Sequence, residues 1–426
     1  MQANEARAIA RPTVHFDPTD PAIIADPHSA FDRLRATTPF AWSEAGFWIA
    51  TRHDDIRSVV IDRKNFGQGD FTRNIQLYYG SDFDVFAHSS YRWLSEVFVY
   101  QDPPRHTRIR GLVSKALTAK RVNEMRADIE AITHSLLDRF ADRREMELIH
   151  DFAYRLPTLV MCHMLGIDKE EANDALLDQL NQAIADSFLV LEMRALTDKE
   201  LALANRQIDF LETFFQSIFE RRRAQPREDL ATALLNAREG DSKLTDREMV
   251  TVAIALFGAG FETTAHMIGN GVLTLHRYPK EWQKLVDDPD LAPSATEEVL
   301  RYESSLIATY RTAFNDTEIG GQTVKAGERV LALLAAGNRD PSVFPKPNEF
   351  DICREGAHHL AFGGGIHFCV GAVLARLEGD IALRALAKRL PGMQVDTSNP
   401  LWRPGFMFRG LEQLVIRWQA RSRVRH

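Results

Sequence analysis

Chemistry concentrates in the segment AFGGGIHFCVG, Ala361 to Gly371, which holds three consecutive glycines, a histidine and one of the chain's three cysteines. Glycine lets a backbone approach a surface that side chains would hold away. Cys369 is followed by VGAVLARLEGDIALRAL, a strong helix pattern, so its sulfur falls at a helix amino terminus. Free N–H groups and the positive end of the dipole stabilise a thiolate there, and a thiolate in a glycine-lined loop suits a metal with an open coordination side. Zinc fits poorly, because no second cysteine lies within the usual few residues. A nucleophilic Cys–His pair stays open, yet His367 is two residues away, a spacing with no clear nucleophile and base geometry. Cys162, in LPTLVMCHML, and Cys353 read as small hydrophobes.

A second constellation interrupts an apolar run. Met249 to Phe261 is followed at once by Glu262, Thr263 and Thr264, just after the small residues Gly258-Ala259-Gly260. An acid in the middle of a buried helix needs a reason, and small side chains before it would let something flat lie against the backbone. Threonine hydroxyls also bond back to the preceding turn and bend helices, and both readings can hold together.

The elements that must position these residues are mainly helical. Thr245-Asp246-Arg247-Glu248 is a capping box that opens a helix predicted to run to about His276, where Tyr278-Pro279 stops it. Roughly 30 residues at 1.5 Å each give about 45 Å, enough to cross a whole domain. Glu262, His266 and Asn270 argue against a membrane span. Apolar spacing predicts further helices over Val122–Phe140, Leu201–Arg222 and Val373–Leu390. Strands are expected at Phe47–Thr51, at Thr317–Val324 around the Gly320-Gly321 turn, and at Leu414–Arg417. The fold class is therefore mainly α with small β-sheets (α+β). Without a linker or repeat, one domain over residues 21–426 is expected after an N-terminal arm, 1–20.

Composition narrows the function classes. A chain of 426 residues, 45% hydrophobic and 26% charged, reads as a soluble globular enzyme and excludes disorder and coiled coil. A net charge of -7 argues against nucleic acid as the main partner. Locally, every charged residue between Asp102 and Glu124 is basic: Arg105, Arg108, Arg110, Lys115, Lys120 and Arg121. Such a run is a solvated helix face or a docking patch. MQANEARAIARPTVHFDPTD contains no apolar stretch resembling a signal peptide or membrane anchor, and three unpaired cysteines fit a reducing compartment. A cytoplasmic monomer is expected.

Taken whole, Phe362-Gly363-Gly364-Gly365-Ile366-His367-Phe368-Cys369-Val370-Gly371 resembles the haem-binding loop of the cytochrome P-450 family, the haem-thiolate monooxygenases. Every fixed position of that pattern is filled. Ala259-Gly260-Phe261-Glu262-Thr263-Thr264 resembles the oxygen-activating segment of the family's long central helix, and Glu298-Val299-Leu300-Arg301 its Glu-x-x-Arg pair. Gly337 to Pro341 with Phe344 to Phe350 resembles the meander before the haem loop, and His106-Thr107-Arg108-Ile109-Arg110 the helix that grips haem propionates. The likeness extends from about Pro21 to Trp418.

The resemblance implies a single-domain fold with haem b between the central helix and the cysteine loop. Cys369 would be the axial thiolate of the iron, with Ala259, Gly260, Phe362 and Gly363 against the haem. Glu262 and Thr263 would deliver protons to the distal oxygen. His106, Arg110, Arg311 and His367 would hold the propionates. Glu298 and Arg301 pair three apart on one helix, with Arg339 as third member and Arg354 as the alternative. The family's pocket segments map to Phe71–Phe98, Ile184–Leu191, Ile254–Gly258, Ser305–Thr309 and Phe406–Phe408. Tyr78, Phe86, Trp93, Phe188, Phe257, Leu306, Ile307 and Met407 are the candidate substrate contacts within or beside them. Ser304-Ser305 replaces a proline pair common in relatives.

The implied function is insertion of one atom of dioxygen into an unactivated C–H or C=C bond of a hydrophobic small molecule. Electrons would come from a ferredoxin and its NAD(P)H-dependent reductase, docking near Arg108, Lys115 and Arg121. The competing reading is a haem protein that does not oxygenate, such as a redox or gas sensor or a haem-thiolate isomerase. A sensor needs no proton relay, so Glu262-Thr263 favours the monooxygenase.

Overall fold

The central helix spans Asp246–Arg277, and Thr245 and Glu248 form the reciprocal capping box that the sequence predicts. Its 32 residues end at Tyr278, and Pro279 opens the next helix. By length and composition it could cross a bilayer, but protein encloses most of it. Between Thr251 and Leu275 the exceptions fall into a pattern. Ala255, Ala259, Gly260 and Thr263 are only partly covered, and their i, i+4, i+5, i+8 spacing places them on one helical face. That face borders an internal cavity.

The computed structural model describes residues 11–356 and 358–419. Helices Arg155–Leu165, Asp198–Ala224, Ala292–Tyr302 and Ala372–Arg389 surround the central helix and bury it in the main apolar core. The segment Val122–Phe140, predicted as one helix, divides at Met125 into Ala119–Glu124 and Arg126–Asp138.

Strands that looked scattered in the sequence converge into a six-stranded sheet, ordered Thr13–Val14, Phe40–Ser43, Phe47–Ala50, Arg329–Ala332, Thr309–Ala313, Phe66–Gly67. Only Phe47–Ala50 among them was anticipated. The hairpin Thr317–Ile319 with Gln322–Val324 forms as predicted, Gly320 and Gly321 turning at φ +57° and +76°. Val415–Arg417 pairs with Glu145–Glu147 and Gln394–Val395. The sheet also takes in part of the segment before residue 21: Thr13 and Val14 pair in parallel with Trp42 and Ser43, and Phe16 is buried in a satellite core.

Candidate active site

Cys369 lies three residues before the first residue of the helix Ala372–Arg389, and its N–H donates to the Phe362 carbonyl at 2.9 Å, closing the loop. The sulfur opens onto the internal cavity, of about 320 Å³, that the partly covered face of the central helix also borders. Burial pushes the Cys369 thiol up; the Gly371 N–H, Arg110 and Arg376 oppose this. The helix amino terminus thus offsets part of the burial penalty in the protein alone, and a metal ligated by the sulfur would complete deprotonation.

The glycines of the loop do different work from that expected. Gly365, at φ +62°, has Val60 O only 2.6 Å from the site of a Cβ, and Gly364 meets Val60 Cγ2 at 2.9 Å. These two seat the loop on the helix His53–Ile61. Gly363, at φ +68°, borders the cavity. Similarly, a Cβ on Gly258 would strike the Phe188 ring at 2.4 Å, and one on Gly260 the Met161 sulfur at 2.8 Å. Their smallness admits neighbouring side chains, and Ala259 carries the exposed stretch of helix.

Three donors, Arg110, Arg311 and His367, border one edge of the cavity, and His106 is in ring contact with His367. The His106 and His367 rings lie 4.3 Å apart between centroids, and among the described residues neither nitrogen of either ring has a hydrogen-bond partner. Arg311, on the strand Thr309–Ala313, is 5% exposed and donates only to the Thr309 hydroxyl and the Tyr310 carbonyl. Arg110 donates to the Phe368 carbonyl. Among the described residues neither arginine forms an ion pair with a carboxylate. Burial, followed by the nearby arginines and His106, pushes His367 down to about 2; burial and then Arg110 push His106 down to about 4. Burial also lowers Arg311 to about 10. Buried, unpaired cations are costly unless an anion meets them. A flat group bearing two carboxylates and a thiolate-binding metal, which is what haem is, fits this arrangement.

Thr263 borders the cavity, and its hydroxyl donates to the Ala259 carbonyl at 2.7 Å, the back-bond anticipated for it. Glu262 is a correction. It is not among the residues bordering the cavity, because one helical step turns it about 100° away from Thr263. Its carboxylate pairs with Arg403 at 3.1 Å and lies 3.8 Å from His266 Nε2. Arg403 also donates to the Tyr154 hydroxyl. Arg403 was missed: it follows Trp402 in a C-terminal loop read only for its pocket residues.

Burial raises Glu262 to about 7, against the pull of Arg403 and with the push of Glu192. The raised value means that the folded state holds a proton that the unfolded chain has released, so the contribution is full below pH 4.5 and lost as pH rises to about 7. Relative to Glu262→Gln, the unmodified protein is expected to lose on the order of 3 kcal/mol across that window. Urea unfolding of both at several pH values measures it, and parallel profiles would contradict it.

Other placements divide. Glu298 and Arg301 form a fully buried ion pair, Arg301 Nε donating to Glu298 at 2.7 Å. Its third member is Arg354, whose Nε donates to Glu298 at 3.2 Å. Arg339 is not: it donates to the Tyr302 carbonyl, lies over the Tyr302 ring at 3.7 Å and sits 3.8 Å from Glu303. Of the candidate substrate contacts, Trp93, Phe188, Leu306 and Met407 border the cavity. Tyr78, Phe86, Phe257 and Ile307 do not. Tyr78 accepts from Arg329, Phe86 is 49% exposed on the surface, Phe257 packs on Phe215 and Phe261, and Ile307 joins a satellite core with Phe406. The basic run is partly neutralised, Arg108 by Glu248 and Lys115 by Glu239.

A cysteine sulfur, an edge of unpaired donors and a helical face carrying a threonine, all on one internal cavity of a mainly helical domain, define a haem-thiolate protein. The comparisons agree. Residues 76–390 match the family profile described as Cytochrome P450. Cytochrome P450 107B1 of Saccharopolyspora erythraea is 36% identical over 93% of this chain and 96% of its own length. 6-deoxyerythronolide B hydroxylase from the same organism is 32% identical over 92% and 96%. The solved structure of P450BioI, in complex with hexadec-9Z-enoic acid ligated acyl carrier protein, superposes with a TM-score of 0.84 at 32% identity, covering 93% of this chain and 99% of that one. The chain belongs to the cytochrome P450 family, is a P450 monooxygenase and uses protoporphyrin IX haem.

Proposed function

We propose that this enzyme hydroxylates or epoxidises a hydrophobic small molecule, using dioxygen and two electrons delivered by a ferredoxin and its NAD(P)H-dependent reductase. The observation that carries the reading is the meeting of Cys369, the unpaired donors and Thr263 on a single cavity. Cys369 would hold the iron, while His106, Arg110, Arg311 and His367 would take the propionates. Bound there, thiolate-ligated haem supplies the activation of dioxygen.

The chain's own residues do the rest. The cavity wall excludes bulk water through side chains such as Leu256, Met267 and Leu300. Thr263 presents a hydroxyl on that wall, able to hold a water or pass a proton at its Oγ1. Glu262 does not border the cavity and pairs with Arg403, so it is a buried acid with a value near neutrality set apart from the cavity wall. Docking of the electron donor falls to the helix Arg105–Ala116, in a cytoplasmic setting, with Arg105 less encumbered than Arg108 and Lys115.

Thr263→Ala is the test. It is expected to consume reductant at a comparable rate while most of the electrons appear as hydrogen peroxide. Product and peroxide are measured per NAD(P)H oxidised. Unchanged coupling would remove Thr263 from proton handling.

A further inference from the structure

Glu262, His266 and Asn270 recur every four residues along the central helix, and all three are buried. None of them borders the cavity. Their spacing puts them on one helical face, and one segment, residues 403–410, touches all three. Glu262 pairs with Arg403 at 3.1 Å, Asn270 Nδ2 donates to the Arg409 carbonyl at 2.9 Å, and a Cβ on Gly410 would collide with the His266 ring. The Arg403 N–H donates to the Gly410 carbonyl at 2.9 Å, which closes the segment into a loop between the paired strands Leu401–Trp402 and Leu411–Gln413.

The far end of that loop is cavity wall. Met407 and Phe408 border the cavity, and Phe408 stands against Phe188 with ring centroids 6.2 Å apart. The Phe406 N–H donates to Glu192 at 3.1 Å, and at Gly405, φ +120°, the Glu192 carboxylate occupies the place of a Cβ. Glu192 follows the turn Phe188–Leu191, whose first and last residues also border the cavity. The wall is therefore held from behind by two acids, and Arg403 acts on both. It pairs with Glu262, donates to the Tyr154 hydroxyl, and opposes the rise that burial imposes on Glu192 and Glu262 alike. Arg194, the other cation acting on Glu192, is engaged by Glu200 at 2.6 Å. Two acids in poorly solvated surroundings repel each other, and a shared cation reverses that balance.

We propose that Arg403 is a positioning residue for the substrate: joined to Glu262 on the central helix and acting on Glu192, it fixes the loop that presents Met407 and Phe408, so that the acid beside Thr263 serves the fit of the substrate and not proton transfer. The inference rests on the monooxygenase reading of the same cavity. It separates two residues that the sequence joins: Thr263 stands on the cavity wall, and Glu262 holds another part of that wall in place from outside it.

The test titrates the haem-loaded enzyme with two nitrogen ligands of iron, each followed by the shift of the haem absorbance. Imidazole is small enough to reach the iron without pressing on the wall, whereas clotrimazole carries three aryl rings that must pack against it. In Arg403→Gln, clotrimazole is expected to bind about tenfold more weakly while imidazole binds as before. Glu262→Gln removes the same pair and keeps the shape of the side chain, so it should give the same split, and it serves alone where Arg403→Gln does not retain haem. The double variant should lose no more than either single one, because both remove one interaction. A general loosening of the fold would weaken both ligands alike. Unchanged clotrimazole affinity in Glu262→Gln, an equal loss for imidazole, or full additivity in the double variant would each overturn the proposal. An unmodified preparation without a thiolate-type haem band fails earlier and refutes the haem reading itself, so the two failures are distinguishable.

Discussion

Replacing Cys369 by histidine is expected to abolish oxygen insertion while the helical fold persists. Cys369 is the one cysteine bordering the cavity. Cys162 is buried in the apolar core, where burial pushes its thiol up to about 12, and Cys353 lies exposed in the meander. Replacing either of those by serine or alanine should leave turnover in place. An imidazole at position 369 could still ligate iron, but as a neutral group it lacks the electron donation of a thiolate that favours O–O cleavage. Product formation driven by NAD(P)H through a ferredoxin, compared with far-ultraviolet circular dichroism, separates lost chemistry from lost fold. Turnover surviving in Cys369→His would remove the ligand assignment.

The second large effect is structural. Glu298→Ala should cost about 3–5 kcal/mol, the usual loss when one partner of a buried ion pair is removed. Arg301 is fully buried and donates twice to Glu298, then to the carbonyls of Asn338, Pro347 and Glu349. Arg354 and the Asp351 N–H close on the same carboxylate. Alanine at 298 would leave two guanidinium groups without their acid and release the chain that leads into the cysteine loop. Urea unfolding and haem retention should therefore fall together. Arg354→Ala removes only one of Glu298's partners and should cost less. A loss below about 1 kcal/mol in Glu298→Ala would show that water or another acid replaces the pair.

What the sequence disclosed is what local spacing controls. The capping box at Thr245, the stop at Pro279, the loop around Cys369 and the i, i+3 pairing of Glu298 with Arg301 each depend on a few neighbouring residues. Side-chain partners across the fold were less legible. Arg339 and Arg354 both lie in the meander at plausible distance, and only the packed chain puts Arg354 on Glu298 and Arg339 on Tyr302. Glu262 and Thr263 were read as a unit, but consecutive helical residues diverge by about 100°. The phase was available, since Ala255, Ala259 and Thr263 form a run four apart that excludes Glu262. Its partner, Arg403, had no such signal. The six-stranded sheet stayed hidden for the same reason: its strands are two to five residues long and are joined only by pairing across most of the chain. Among the aromatic residues, Trp93 and Phe86 look alike in sequence, and helix phase sends one into the cavity wall and the other to the surface.

This cavity is expected to bind haem through the Cys369 sulfur. The most direct measurement is the absorbance difference spectrum of the purified, dithionite-reduced protein with and without carbon monoxide. A Soret band at the strongly red-shifted position of thiolate-ligated haem is the predicted result. A band at the position typical of histidine ligation, or no haem band after haem supplementation, would contradict it.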